Sequence, residues 1–257
     1  MGNLLIGAIS GNYGIEDIEN WVSTSVFEGV HRALVVYNST FDIEKYLVDN
    51  NIEVIKPLTD FWRRDVERFD TNTGAMNLVN SYTLVHNIRF LHIWKYLTQK
   101  KYNNVIITDV RDVYFNSNPF ENITSDKLVA TSEVITYNSE DWNRQHLYEN
   151  LGEIGLELLL DKPVYNVGVF GGPCSLVADL CADIYLLSVG KPKVADQTSF
   201  NYLVQTKYKD VTDFTSLADK FAVHLHVINA GLVPFELSSV KEYKIVHQYD
   251  RIKGFTR

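Results

Sequence analysis

The sequence predicts an α/β fold, a single domain with a mainly parallel sheet covered by helices on both faces. Apolar runs of strand length alternate with segments long enough for crossover helices, which is the pattern of βαβ units. The chain has 257 residues, near the upper size at which one hydrophobic core serves one domain. No linker, internal repeat or low-complexity tract interrupts the sequence, so one domain over residues 1–257 is expected.

Four apolar runs in the first half predict strands of the sheet: Leu4 to Ile9, Ala33 to Tyr37, Ile52 to Ile55 and Val105 to Thr108. A helix is predicted from about Ala75 to Gln99, where apolar residues recur at steps of three and four. Arg89 lies on the apolar face of this helix. A buried guanidinium is costly unless it is paired, so Arg89 either finds a partner such as Asp109 or reaches solvent. Later strands are predicted at Val164 to Phe170 and Lys244 to Val246.

The composition is that of an ordinary globular protein, with 46% hydrophobic and 22% charged residues. Asp and Glu number 32 against 24 Lys and Arg, which gives a net charge of -8. This balance disfavours loose binding to nucleic acid or to anionic membrane. An anionic ligand therefore needs a local positive charge, most simply a metal ion.

Targeting and redox signals are few. The apolar start MGNLLIGAIS is too short for a membrane span and lacks a basic flank and a cleavage site. It is interpreted as the first core strand, and no membrane span is expected. Cys174 and Cys181 lie seven apart in a predicted helix, so no disulfide framework is implied. A reducing, cytoplasmic compartment fits this usage.

Charge is concentrated directly after the fourth strand, in VIITDVRDVYF (105–115). Ligands in open α/β sheets bind beyond the carboxyl ends of the strands, where Asp109 and Asp112 stand. Two carboxylates on one loop make a hard oxygen site suited to Mn²⁺ or Mg²⁺, ions that commonly bridge a protein to a diphosphate. The plainer alternative is a turn capped by Asp109, with Arg111 paired to a neighbouring carboxylate.

A second polar stretch, IVHQYDRIKGF (245–255), follows the last predicted strand. His247 would complete a ligand set that accepts Mn²⁺, and Lys253 would hold a phosphate. An ordinary surface histidine and lysine are the alternative.

Taken in order, these stretches resemble the glycosyltransferases of the GT-A fold, which use nucleotide-diphospho-sugars and carry a metal-binding DxD motif. The matching segments span nearly the whole chain: AISGNYG (8–14), Arg89, TDVRDVYFNSNPF (108–120), YNVGVFGG (165–172), ADQTSFNYL (195–203) and VHQYDRIKGF (246–255). The resemblance implies a single GT-A (Rossmann-like) domain with a central mixed, mainly parallel sheet flanked by helices. Residues 1–115 would be the nucleotide-binding half and 116–257 the sugar and acceptor half.

The resemblance also implies roles for individual residues. The metal would be held by Asp109, Asp112 and His247, although DVRD replaces the standard DxD and leaves open which aspartate coordinates directly. His247 and Lys253 have the spacing of a glycogenin-like pair, without the Gly and Pro-Trp that follow in that branch. The nucleotide and its diphosphate would be bound by Ala8, Ser10, Gly11, Arg89 and Lys253. For the first three, an ordinary glycine-rich turn is the alternative.

Sugar and acceptor contacts are expected from the second half and from Arg111. The candidates are Arg111, Glu133, Trp142, Asn166, Gly171, Gly172 and Gln197, with Asp141 and Asn143 beside Trp142. Trp142 is the preferred platform because an aromatic face packs against the C–H side of a sugar ring. The glycines would let the backbone approach the donor closely. Asp196 is the candidate general base, or else the N-cap of the helix that follows it.

The expected activity is transfer of a sugar from a nucleoside-diphosphate donor, such as UDP-xylose, UDP-glucose or UDP-galactose, to a hydroxyl of a glycan or glycoprotein acceptor. Mn²⁺ or Mg²⁺ is the expected cofactor, and inversion is favoured over the retention seen in the glycogenin-like branch. A sugar-phosphate nucleotidyltransferase would want a Gly-rich, Arg-bearing loop where SGNYGIED stands. A metal-dependent phosphoesterase would usually show more His and Asp ligands clustered at strand ends. A non-catalytic carbohydrate-binding scaffold would keep the fold without requiring the metal.

Overall fold

A computed structural model of the chain describes residues 2–10, 13–57, 84–123, 126–191, 193–232 and 234–255. Its strands are β1 (Asn3–Ser10), β2 (Val30–Tyr37), β3 (Glu53–Ile55), β4 (Asn104–Thr108), β5 (Val113–Phe115), β6 (Leu128–Thr136), β7 (Pro163–Pro173), β8 (Thr212–Thr215), β9 (Ala222–His224) and β10 (Ile245–His247). Its helices are α1 (Glu19–Thr24), α2 (Phe41–Asp49), α3 (Val85–Gln99), α4 (Asp141–Leu159), α5 (Cys174–Ser188), α6 (Asp196–Gln205) and α7 (Leu225–Asn229).

The main sheet has seven strands in the order β3-β2-β1-β4-β7-β6-β8. The pairs β3–β2, β2–β1, β1–β4 and β6–β8 are parallel, and β7 runs antiparallel to both of its neighbours. The predicted α/β fold with a mixed, mainly parallel sheet flanked by helices is therefore confirmed. Strands from both halves of the sequence share this one sheet.

Burial on both faces of the sheet explains the continuous apolar runs of β1, β2 and β4. Successive side chains of a strand point to opposite faces, and in β1 Leu4 and Ile6 pack under α3 and α5 while Leu5 and Ile9 pack under α1 and α2. The largest side chain of the second layer is Trp21, which is fully buried. Its indole N–H donates to Thr108 Oγ1 at 2.9 Å, so α1 is tied to the last residue of β4.

The predicted strands are found with ends that differ by a few residues. The predicted helix is observed as α3, and residues 75–83 of that prediction lie outside the described residues. Helix α6 begins at Asp196, and its N-cap residue is Ala195. Both cysteines lie in α5 as free thiols.

A second sheet of three strands, in the order β5-β10-β9, packs beside the carboxyl end of β4. Strand β10 is antiparallel to β5 and parallel to β9, with His247 opposite Val113 on one side and opposite His224 on the other. The backbone N–H of Gln248 donates to the carbonyl of Asp112 at 2.7 Å. This register places the end of β10 directly beside the loop that carries Asp109 and Asp112.

In the part of the chain that the structure describes, no helix has the length and apolar character needed to cross a bilayer.

Candidate metal centre and its two cavities

The sequence-predicted metal ligands come together at the carboxyl end of β4. Asp109 follows the last residue of β4, Asp112 precedes β5, and His247 ends β10. One ligand atom from each of the three lies within 4.8 Å of the others. His247 Nε2 is 3.5 Å from Asp109 Oδ2 and 3.7 Å from Asp112 Oδ1. These separations are too long for good hydrogen bonds but leave room for a shared cation.

The fit to a metal ion is tested by the buried imidazole. His247 is only 1% exposed, and its Nε2 atom has no hydrogen-bond partner among the described residues. A buried polar atom without a partner is costly. Two carboxylate oxygens and one imidazole nitrogen form a donor set that suits Mn²⁺, with Mg²⁺ accepting the oxygens more readily than the nitrogen. The residues present therefore fit a divalent ion.

A chain of hydrogen bonds behind His247 fixes which of its nitrogens carries the proton. The Val169 carbonyl can only accept, so the Thr131 hydroxyl donates to it, at 2.7 Å. Thr131 Oγ1 then accepts from His224 Nε2–H at 2.9 Å, and His224 Nδ1 accepts from His247 Nδ1–H at 3.0 Å. When His247 is neutral, its Nε2 therefore carries a lone pair that faces the two aspartates, as a metal ligand requires.

The ionisation of this cluster follows from burial and from its neighbours. Burial opposes the charge on Asp109, but Arg89 and His247 outweigh it and hold the pKa of Asp109 below its usual range. Burial raises the pKa of Asp112, although His247 opposes this shift. Burial lowers the pKa of His247, but Asp112 and Asp109 together hold it above its usual value. Burial lowers the pKa of His224, as does His247 beside it, so His224 stays neutral and its Nδ1 can accept the Nδ1–H of His247.

Space for these ligands depends on Gly168, which lies in β7 beside Asp109. The Asp109 backbone N–H donates to the Gly168 carbonyl at 2.7 Å. A Cβ atom at Gly168 would lie 2.6 Å from Asp109 Oδ2, 2.7 Å from His247 Cε1 and 2.8 Å from Asn166 Oδ1. Contacts this short do not occur for real side chains. A residue other than glycine would therefore displace two of the three ligands.

Arg89 forms ion pairs that hold Asp109, one member of the cluster, in place. Its guanidinium pairs with Asp109 Oδ1 at 2.5 Å and with Asp196 Oδ2 at 3.0 Å. Arg89 and Asp196 are both buried, so the expectation that Arg89 needs a partner is met by two carboxylates. Burial opposes its charge, but Asp109 and Asp196 outweigh this and raise the pKa of Arg89.

A polar network continues from Asp196 to the other side of the site. Gln197 follows Asp196, and its side-chain N–H₂ donates to Glu133 Oε1 at 3.0 Å. Asn166 also donates to Glu133 Oε1, and its own Oδ1 accepts from the Gly168 N–H at 2.7 Å. The contacts thus form a closed ring that returns through Gly168 to Asp109. Burial raises the pKa of Glu133, against the opposing hydrogen bonds from Gln197 and Asn166.

Two cavities meet at the cluster, and His86, Arg89, Asp109 and Arg251 line both. The β1-side cavity has about 490 Å³ and is also lined by Ala8, Ser10, Tyr13, Arg111 and Asp112. The α4-side cavity has about 620 Å³ and is also lined by Glu133, Trp142, Asn143, Asn166, Asp196, Gln197 and His247. Both are within the size range of sites for small molecules.

Most of the remaining candidates lie on the cavity walls. Trp142 is half exposed at the start of α4 and stacks on His146, with ring centroids 3.9 Å apart. Arg111 lies at the rim and pairs with Asp250 at 3.0 Å. Asp141 pairs instead with the exposed Arg144. Gly11 lies outside the described residues.

Three candidates are not brought to the cavities. Lys253 is exposed and lines neither of them. Gly171 and Gly172 pair with Ile106 and Val105 near the start of β4, at the far end of that strand from Asp109. Cβ atoms there would lie 2.7 Å from the Val105 carbonyl and 2.8 Å from the Lys127 carbonyl. These two glycines permit close strand packing.

Sequence reasoning missed three residues that the structure places at the site. Gly168 is the first glycine of YNVGVFGG and stands apart from the pair Gly171 and Gly172. This separate position was the feature by which the sequence distinguished it. Arg251 lies two residues before Lys253 in a 3₁₀ turn, Tyr249–Arg251, and offers its charge to both cavities. His224 had no signal beyond being a histidine in an apolar run.

No known protein family and no curated protein matches this sequence.

Proposed function

We propose that the chain is a metal-dependent glycosyltransferase, which moves a sugar from a nucleoside-diphosphate donor to a hydroxyl of a glycan or glycoprotein. The observation that carries this proposal is the cluster of Asp109, Asp112 and His247 at the junction of two cavities, with an imidazole nitrogen that has no hydrogen-bond partner among the described residues. A donor that is cleaved between its diphosphate and its sugar needs a cation at that junction and space on both sides of it. The resemblance of the sequence to GT-A enzymes supports a UDP-sugar donor such as UDP-xylose, UDP-glucose or UDP-galactose.

In this proposal the β1-side cavity takes the nucleotide, with Ala8 and Ser10 at the carboxyl end of β1. Mn²⁺ or Mg²⁺ held by Asp109, Asp112 and His247 would supply positive charge for the leaving diphosphate. Arg251 and Arg111 are the exposed cations at the cavity walls that would bind phosphate oxygens. Arg89 keeps Asp109 ionised and oriented.

The α4-side cavity would take the donor sugar and the acceptor. Trp142 offers an aromatic face for a sugar ring. Glu133, Asn166 and Gln197 provide hydrogen-bonding groups for sugar hydroxyls. The free thiols of Cys174 and Cys181 support a reducing, cytoplasmic setting as part of this proposal.

The test is incubation with a panel of nucleotide-sugars in the presence of Mn²⁺, with release of the nucleoside diphosphate as the readout. Slow hydrolysis of one donor, abolished by EDTA, is the expected result. Release of pyrophosphate from a nucleoside triphosphate and a sugar phosphate would instead identify a nucleotidyltransferase. Inertness toward every donor, together with no affinity for UDP, would overturn the proposal in favour of a scaffold.

A further inference from the structure

Glu133 is held in an irregular part of β6. The pairing of β6 with β7 shifts register on both sides of Ser132. Val134, the residue directly after Glu133, has a positive backbone φ of +63°. A β-branched residue with positive φ is a backbone outlier, and this conformation costs free energy. The Val134 N–H donates to Ser132 Oγ at 2.9 Å, which holds the distortion. The strained bulge turns the Glu133 side chain into the α4-side cavity.

Among the described residues, only one oxygen of the Glu133 carboxylate accepts hydrogen bonds. Oε1 accepts from both Asn166 and Gln197, whereas Oε2 accepts no hydrogen bond from any described residue. Glu133 is only 5% exposed, and no cation pairs with it in the described part of the chain. A buried carboxylate without a paired cation costs free energy. Packing alone gives no reason for the chain to keep a carboxylate at this position.

Asp196, the other carboxylate of this cavity, is differently placed. Its Oδ2 pairs with Arg89 at 3.0 Å, and its Oδ1 accepts from the Gln197 N–H at 2.9 Å. Both of its oxygens are therefore occupied. A base must present a free oxygen to the hydroxyl that it deprotonates, and Glu133 does so.

We propose that Glu133 is the catalytic base that takes the proton from the attacking hydroxyl. This inference rests on the proposed glycosyltransferase function and assigns one step of it. The acceptor oxygen forms a bond to the anomeric carbon of the donor, and the bond from that carbon to the diphosphate oxygen breaks. The leaving diphosphate takes the electron pair of the broken bond, and Glu133 Oε2 takes the acceptor proton.

A short chain of contacts connects Glu133 to the candidate cation site. Asn166 links the two, because it donates to Glu133 and accepts from Gly168, the residue that abuts Asp109 and His247. The anomeric carbon of a donor whose diphosphate lies at the cation would face the α4-side cavity. Attack from the Glu133 side would come opposite the diphosphate, which gives inversion of configuration.

The test uses Glu133→Gln and azide, an anionic acceptor that needs no base. The donor is whichever of UDP-glucose, UDP-galactose and UDP-xylose the wild type hydrolyses with Mn²⁺. We expect E133Q to release UDP to water at least about 100-fold more slowly, the usual range for loss of a general base. Azide should then restore UDP release and yield a glycosyl azide of inverted configuration. The variant should retain the wild-type affinities for UDP and Mn²⁺.

Two further variants make the result specific. Glu153→Gln alters an exposed glutamate of α4 and should hydrolyse the donor at the wild-type rate. Asp196→Asn should not be rescued by azide, because its carboxylate orients Arg89.

The outcomes separate the two proposals. E133Q that hydrolyses the donor within threefold of an active wild type overturns the role of Glu133 alone. Loss of activity without azide rescue, accompanied by weaker UDP binding, makes Glu133 structural and also overturns it. A wild-type product that retains the donor's configuration excludes a base acting by single displacement. A wild type inert toward every donor overturns both the proposed function and this inference.

Discussion

Arg89 and Asp109 form an ion pair at the wall that the two cavities share, with 2.5 Å between Nη1 and Oδ1. The second nitrogen of the same guanidinium holds Asp196. One buried cation therefore pairs with two carboxylates from different elements, the β4–β5 loop and α6. Asp109 can thus keep the negative charge that a metal site needs at the end of β4, because both it and Asp196 have a cationic partner.

Replacing Arg89 with methionine should destabilise the fold. Removal of one partner from a buried ion pair leaves an uncompensated charge and costs about 3–5 kcal/mol. The free energy of unfolding in urea is the measurement. The matched control is Arg144→Met, which breaks the exposed pair with Asp141 and should cost less than about 1 kcal/mol. Equal losses in the two variants would show that Arg89 is not a structural cation.

Removing a metal ligand should abolish activity without unfolding the protein. We expect Asp112→Ala and Asp109→Ala each to lower donor hydrolysis by about two orders of magnitude or more, the scale for loss of a charge-stabilising group. EDTA should have the same effect on the wild type, and added Mn²⁺ should reverse it. Asp213→Ala, which alters a partly exposed pair with Lys127, serves as control. Full activity in EDTA would refute the metal requirement.

Arg251 and Lys253 can be compared directly as ligands of the diphosphate. The sequence favoured Lys253, but the structure places Arg251 on both cavities and Lys253 on neither. Arg251→Ala should weaken UDP binding by about 1.5 to 3 kcal/mol, the range for a hydrogen bond to a charged group. Lys253→Ala should have a smaller effect. Calorimetric titration of both variants with UDP and Mn²⁺ decides between them, and the reverse order would restore Lys253.

His224 should tune the metal site without touching the ion. His224→Leu removes the acceptor that fixes the proton of His247, and we expect Mn²⁺ affinity to fall about 10- to 100-fold. His224→Asn keeps an oxygen near the position of Nδ1 and should lose less. The signal of free Mn²⁺ in electron paramagnetic resonance measures this affinity. Equal affinities in the two variants would mean that the hydrogen bond from His247 does not matter.

The stability of the fold should depend on pH through His92. Burial lowers the pKa of His92 from 6.5 to about 4, and its Nδ1 contacts the Tyr37 hydroxyl. Between these two values the unfolded chain binds a proton that the folded chain does not. The contribution of His92 to stability should therefore be constant above pH 6.5, fall by up to about 3 kcal/mol as the pH drops to 4, and then level off.

His92→Asn keeps an acceptor for Tyr37 and removes the titrating group. Urea unfolding of this variant and of the wild type from pH 4 to pH 8 should give two curves that diverge only below about pH 6.5. Parallel curves over the whole range would assign the pH dependence to other groups.

The fold was predictable where the sequence carried local periodicity. Strands β1 and β4 are buried on both faces, so each is a continuous apolar run that stands out from its surroundings. The position of Asp109 and Asp112 at the site was also predictable, because residues that follow a core strand lie at the carboxyl edge of the sheet, where ligands bind. His247 was predicted to lie at the site because it directly follows a predicted strand.

Other features depend on contacts between distant segments, which a single sequence does not display. Strands β5 and β9 have three residues each, too few to show a period. His224 meets His247 only through the pairing of β9 with β10. Glu133 lies in a bulge whose signature, a valine with positive φ, opposes the preference of that residue. Gly168 differs from its neighbouring glycines only by its register against β4.

The candidate cation ligands come from opposite halves of the chain, which has a consequence for folding. Asp109 and Asp112 follow β4, whereas His247 ends β10, after every other strand of both sheets has been laid down. Contacts of such long sequence separation require a long loop to close and form late. A partly folded chain that has assembled only β1 to β4 would hold two ligands out of three. Tight binding of an ion would therefore report that the last strand has docked, and a bound ion would in turn favour the completed fold over its precursors.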